Sequence, residues 1–128
     1  NFRGKCILLV EDNELNSEIA VEILNEYGFL VDTAENGAEA VKKVKNSASG
    51  NYDLVLMDVQ MPVMNGYKAT KEIRALANPA LAGITILAMT ANAFDEDRKK
   101  ALECGMDGFL SKPIVMEELI AMLQKNLN

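Results

Sequence analysis

Histidine is absent from all 128 residues, and no other feature of the composition removes as much chemistry. A Ser-His-Asp relay, a His-ligated metal and a phosphohistidine carried on this chain are all excluded. Cysteine is nearly as scarce: Cys6 lies in an apolar run and Cys104 near the end of a helical segment. Two buried free thiols are therefore expected rather than a bridge or a metal site, in a reducing, cytoplasmic setting. No apolar run approaches the roughly 20 residues of a membrane span, so no membrane contact by this domain is expected. Positive charge is in deficit, with 13 Lys and Arg against 19 Asp and Glu and a net charge of −6. Nucleic-acid backbones are held by clustered basic side chains, so nucleic acid is not an expected partner. Lys42, Lys43 and Lys45 read as a solvated helix face. Asn1-Phe2-Arg3-Gly4-Lys5 has neither an initiator Met nor a signal core behind it, and the sequence is expected to be a piece of a longer protein. What remains for chemistry is carboxylates, lysine and hydroxyls.

Nearly half the residues (49%) are apolar and 25% are charged, the balance of a globular protein and enough for one core without disulfides. Short apolar runs alternate with longer segments of helical periodicity, which predicts βαβ units, a parallel sheet and an α/β fold in one domain over 1–128. Strands are expected at Cys6 to Val10, Leu30 to Ala34, Leu54 to Met57, Thr85 to Met89 and Gly108 to Ser111. Several are apolar throughout, as strands covered on both faces must be. The first helix places Leu15, Ile19, Ile23, Leu24 and Tyr27 on one stripe, with Asn13 as N-cap, Gly28 as terminator and Glu14, Glu18, Glu22 and Glu26 outside. The last helix carries Met116, Leu119, Ile120, Leu123 and Leu127 after Pro113. Further helices are expected near 37–45, 66–77 and 95–104. Right-handed crossovers then give a doubly wound sheet with helices on both faces, its functional groups gathered outside the carboxyl ends of the strands.

Glu11 and Asp12 follow the first strand and Asp58 the third. A lone acid in a loop is more often a solvated strand end or a helix cap, but three acids converging on one edge call for a compensating positive charge. An oxygen cluster without His or Cys suits a hard cation such as Mg²⁺, which keeps several waters and is usually shared with phosphate oxygens. Thr90 follows the fourth strand and Lys112 the fifth. Together these groups make a phosphoryl-transfer site: a carboxylate nucleophile, a cation and a lysine to neutralise charge, and a hydroxyl to bond a phosphoryl oxygen. An Asp of ordinary pKa is already ionised at neutral pH, so no general base is required.

Four stretches, Ile7-Leu8-Leu9-Val10-Glu11-Asp12-Asn13, Leu56-Met57-Asp58-Val59-Gln60-Met61-Pro62-Val63-Met64-Asn65-Gly66, Met89-Thr90-Ala91 and Ser111-Lys112-Pro113, resemble bacterial response-regulator receiver domains, in order and over nearly the whole chain. The resemblance implies the flavodoxin-like strand order 2-1-3-4-5 and a phosphorelay function in which Asp58 is the phosphoacceptor. It implies Mg²⁺, with Mn²⁺ as a substitute, bound by Asp12, Asp58 and the backbone carbonyl of Gln60, with Glu11 acting through metal-bound water. Lys112 would pair with the phosphoryl group, and Lys112-Pro113 resembles the family's cis peptide. Thr90 and Phe109 would be the switch pair, although Phe109 lacks the hydroxyl of the tyrosine many relatives carry. Gln60, Ala91 and Asn92 would set the lifetime of the acyl phosphate. The readout surface would surround the fourth and fifth strands, with Phe94, Arg98, Met106, Phe109 and Val115 as candidates. The donor would be a phosphohistidine on a kinase or a histidine phosphotransfer domain, docking on the first helix near Asn16. Such a domain promotes its own phosphorylation and dephosphorylation without being a turnover enzyme alone, and the wording of the motifs resembles receivers attached to hybrid sensor histidine kinases.

Rival readings fit less well. A haloacid-dehalogenase-type phosphatase wants a second Asp where this chain has Gln60, and a flavodoxin-like cofactor binder would have its phosphate repelled by Glu11-Asp12-Asn13-Glu14. A degenerate receiver acting only as an interaction module should have lost Asp12, Asp58 or Lys112.

Overall fold

Strand β1 (Cys6–Val10) is apolar at nearly every position and lies in the interior of the sheet, paired on both edges. The computed structural model describes residues 3–47, 51–59, 61, 63–90, 95–111 and 115–127. After β1 come α1 (Glu14–Glu26), β2 (Leu30–Ala34), α2 (Gly37–Asn46), β3 (Leu54–Asp58), α3 (Gly66–Arg74), α4 (Pro79–Ala82), β4 (Thr85–Thr90), α5 (Asp95–Cys104), β5 (Gly108–Ser111) and α6 (Met116–Leu127). All four strand pairings are parallel and the order is β2-β1-β3-β4-β5, as expected.

Alternation along the strands divides the core in two. Leu8, Val10, Val55, Met57, Ile86 and Ala88 face one side, where Ala40 and Val44 of α2, Ala69 and Ile73 of α3 and Ala101 and Cys104 of α5 cover them. Ile7, Leu9, Leu54, Leu56, Leu87, Met89 and Leu110 face the other, under Leu24 of α1 and Leu119 and Leu123 of α6. Both faces of β1, β3 and β4 are thus dry, which explains why these strands read as apolar runs, whereas the edge strand β2 leaves Leu30 exposed.

Caps set the helix bounds. The side chains of Asn13, Asn36 and Asn65 accept from the backbone N–H groups of Asn16, Glu39 and Lys68, respectively. Gly28, at φ 93°, turns the chain out of α1. The helix expected over 66–77 ends at Arg74 as α3, and the short α4 follows beyond it at Pro79–Ala82. Asn78 precedes a proline, which disfavours helical backbone there, and its extended conformation with Pro79 in the first turn restarts the chain as a separate helix.

The stripe expected for α1 is also corrected. Leu15 is 64% and Ile19 49% exposed, Tyr27 is exposed too, and Leu24 alone of the stripe is fully buried. The covered line runs instead through Ala20, Val21 and Leu24, small or branched residues that let α1 approach the sheet closely. Met106, expected on the surface, is buried with the α2/α3/α5 face of the core. Both cysteines are free as expected, but Cys6 is half-buried and Cys104 buried. Among the lysines expected to be solvated, Lys43 is tied down: it donates to Asp32 and to the carbonyl of Thr33 and pairs with Glu39.

Candidate functional site

Because every strand runs the same way, the carboxyl ends of β1, β3, β4 and β5 lie along one edge, and the residues expected to carry chemistry collect there. Glu11 and Asp12 leave β1, Asp58 closes β3 and Thr90 closes β4. One carboxylate oxygen from each of Glu11, Asp12 and Asp58 lies within 4.8 Å of the others. Glu11, Asp58 and Thr90 are only 7%, 4% and 5% exposed, while Asp12 opens to solvent.

The surrounding backbone is held in place. Glu11 accepts from the N–H of Asn13 at 3.2 Å and its own N–H donates to the Ala34 carbonyl at 3.1 Å. Behind Asp58, the Val59 N–H donates to Met89 and the Gly66 N–H to Val59, which ties the start of α3 to the end of β3. Gly66 is required there, since a Cβ would run into the backbone oxygen of Asp58. Met64 accepts from the Gly37 N–H, which anchors the loop between β3 and α3 to α2. At its apex Val63 takes φ 67° and is 84% exposed, an unfavourable conformation for a β-branched residue.

Two buried carboxylates and an exposed one so close repel one another unless a cation lies among them. The donor set, oxygen only and from three separate positions, fits a hard divalent ion and not a soft one. Among the described residues it is the one group of carboxylates or thiols spaced to hold a metal. Gln60, Ala91, Asn92, Phe94, Lys112 and Pro113 lie outside the described residues. Ser111, which precedes Lys112, pairs with Thr90 across β4 and β5.

Two features escaped the sequence reading. The exposed Leu15 and Ile19 begin two residues beyond Asn13 and lead away from the acidic site. The guanidinium of Arg98 on α5 lies 4.5 Å from the centroid of the Phe109 ring. Neither leaves a local mark in the sequence, because each depends on how a helix is rotated against the sheet.

Comparison with known proteins points the same way. Residues 7–124 match the family model described as the response regulator receiver domain. Hybrid signal transduction histidine kinase B of Dictyostelium discoideum is 45% identical over 95% of this chain, which spans 7% of that protein. Histidine kinase 5 of Arabidopsis thaliana is 38% identical over 95% of the chain and 16% of its own length. The chain therefore spans a small part of these curated relatives. Among solved structures, the receiver domain of a Pseudomonas aeruginosa sensor histidine kinase, with a magnesium ion coordinated in its active site cleft, superposes with a TM-score of 0.85 at 40% identity, covering 96% of this chain and 97% of that one. The receiver domain of a Saccharomyces cerevisiae response regulator, solved with its histidine phosphotransfer protein, represents a co-crystal matched with a TM-score of 0.85 at 30% identity, over 98% of this chain and 90% of that one. Similarity is thus not confined to bacteria.

Proposed function

The chain belongs to the response regulator receiver family and is a receiver domain of phosphorelay signalling, and from that premise we propose that Asp58 accepts a phosphoryl group from a phosphohistidine. The observation that carries the assignment is the meeting of Glu11, Asp12 and Asp58 within 4.8 Å at the carboxyl edge of the sheet. Asp58 is the member that closes a strand, and the backbone behind it is fixed by the Val59 N–H bond to Met89 and the Gly66 N–H bond to Val59. An oxygen of Asp58 attacks phosphorus, the P–N bond breaks, and the imidazole leaves with its proton supplied on the donor side. No oxidation is involved.

Asp12 and Asp58 would ligate Mg²⁺ with the backbone carbonyl of Gln60, and Glu11 would act through a bound water; Mn²⁺ would serve in its place. When bound, the ion neutralises charge on the equatorial phosphoryl oxygens. Thr90 donates its hydroxyl to a phosphoryl oxygen and Lys112 pairs with another. To reach that oxygen Thr90 would move toward the site, and a Phe109 shift accompanying it would bias the surface of α5, β5 and α6.

The donor is a phosphohistidine on a kinase or a histidine phosphotransfer domain. Leu15 and Ile19 give it an apolar seat next to the site, and the phosphotransfer protein in the similar yeast co-crystal supports a partner of that kind. The curated relatives support a hybrid sensor histidine kinase as the parent protein, with this domain on the cytoplasmic side. Among the described residues no helix is long and apolar enough to cross a membrane.

Intact mass after incubation with Mg²⁺ and acetyl phosphate tests the assignment. The wild type should gain one phosphoryl group and Asp58→Asn none. No gain in a wild type that binds Mg²⁺ would sink the phosphoacceptor reading and favour an interaction module.

A further inference from the structure

Phe109 and Thr90 occupy the same face of the sheet. Phe109 pairs with Ala88 across β4 and β5, and Thr90 stands two residues further along β4, so all three point toward α5. Ala88, buried in the core, is the small residue between them. The ring in this structure is half-buried, packed by the core on one side and covered by the Arg98 guanidinium at 4.5 Å. Arg98 is itself exposed and comes from α5, the helix whose Ala101 and Cys104 close the core beneath.

We propose that Arg98 is a positioning residue for the receiver switch: its guanidinium, stacked on Phe109, holds the ring where it lies beneath α5 and so opposes its movement toward Thr90 when a phosphoryl group is taken up. The inference rests on the phosphoacceptor reading above. A phenylalanine has no hydroxyl with which to anchor itself at either end of its swing, so a cation on its π-face takes over the task of defining one end. The stack also joins β5 to α5, and movement of the ring is therefore passed to the helix. Reciprocity follows: whatever stabilises the stacked position weakens binding of a phosphoryl group at Asp58 by the same factor. An exposed cation–π contact of ordinary strength corresponds to about two- to five-fold in that equilibrium.

The chain contains four phenylalanines, so labelling with 4-fluorophenylalanine gives four ¹⁹F resonances, and Phe109→Leu assigns the one of interest. In the wild type that resonance should move when Mg²⁺ and beryllium trifluoride, a phosphoryl mimic, are added. Arg98→Met keeps the aliphatic cover and removes the cation. It should shift the resting resonance toward the liganded position and tighten the apparent affinity for the mimic about two- to five-fold. Arg98→Lys, which keeps the charge without the planar stack, should fall between. An Arg98→Met chain whose resting resonance and mimic affinity equal those of the wild type overturns the inference, whatever its melting temperature does. If intact mass shows that the wild type takes up no phosphoryl group at all, the phosphoacceptor reading fails first and the inference with it.

Discussion

Val63 and Gly66 bracket the loop behind Asp58, and each carries a backbone demand that can be tested separately. Val63 holds φ 67° with a fully open side chain, so the cost of left-handed backbone is not offset by buried surface. Asparagine tolerates that conformation, and Val63→Asn should raise the unfolding free energy by about 1 kcal/mol; a chemical denaturation curve moved to lower midpoint would refute the strain. Gly66 is the opposite case. Gly66→Ala forces a methyl group onto the Asp58 carbonyl, and overpacking of this kind costs about 1–3 kcal/mol. Phosphorylation yield should fall along with stability, because the displaced atoms are those of the acceptor itself. At this scale the sequence was readable wherever a polar residue directly follows an apolar strand, as Asp12, Asp58 and Thr90 do. It misplaced Met106, whose burial depends on where α5 ends and β5 begins, a boundary that hydrophobicity alone does not mark.

At the scale of elements, α1 is the instructive case. Two lines of apolar residues run along it, the bulky one through Leu15 and Ile19 and a smaller one through Ala20, Val21 and Leu24. Bulk suggests the first, but the sheet takes the second because small residues let the helix come close. Which of two stripes is buried depends on its partner surface, and no local pattern carries that information. The exposed stripe then has a consequence: Leu15→Lys with Ile19→Glu should lower phosphotransfer from a phosphohistidine protein about tenfold or more, while leaving acetyl phosphate modification unchanged. Equal loss with both donors would place the fault in the site rather than the dock.

A second element-scale feature joins β2 to the turn before β3. The Tyr52 hydroxyl donates to Asp32 at 2.6 Å, and Lys43 donates to the same carboxylate from α2. Burial, and then the Asp32 hydrogen bond and charge, push the Tyr52 phenol well above its ordinary value of 10.0. Burial raises Asp32, yet the hydrogen bonds from Tyr52 and Lys43 outweigh it and hold the carboxyl below 3.8. The signs follow from linkage. Stability from the phenol is complete below pH 10.0 and lost as pH rises through its raised folded value; stability from the carboxylate is present above pH 3.8 and lost as pH falls through its depressed one. Ultraviolet titration should show the Tyr52 phenol ionising late in the wild type, and in Asp32→Asn its ionisation should return toward 10.0. No change in that variant would mean that the hydrogen bond does not set the phenol.

Across the whole molecule, Arg74 does for the amino edge of the sheet what the carboxylates do for the other. Its guanidinium donates to the carbonyls of Ala82, Ile84 and Gly105 and pairs with Asp107, which in turn accepts from Ile86. Four segments are tied by one side chain. Arg74→Met strands those carbonyls and should cost about 3 kcal/mol, with a single cooperative transition preserved; a loss under about 0.5 kcal/mol, the size of an ordinary surface change, would show the clamp to be decorative. The overall architecture was legible because alternation of strand and helix leaves few topologies once crossovers must be right-handed. The end of α3 at Arg74 was not, since the helical pattern runs on to 77, and Pro79 marks only where α4 begins.

The interior position of β1 bears finally on how the chain is made. This strand precedes the other four of its sheet in the chain, yet its second edge is closed by β3, and Asp53, which receives the Cys6 N–H, lies 47 positions later. Until β3 emerges, a nearly wholly apolar strand waits with an open edge, ready to pair with whatever is near. Damage to the apolar stretch Leu54–Met57 of β3, with Asp58 intact, should therefore appear first as slow folding and aggregation during synthesis, before any change in signalling by the molecules that succeed in folding.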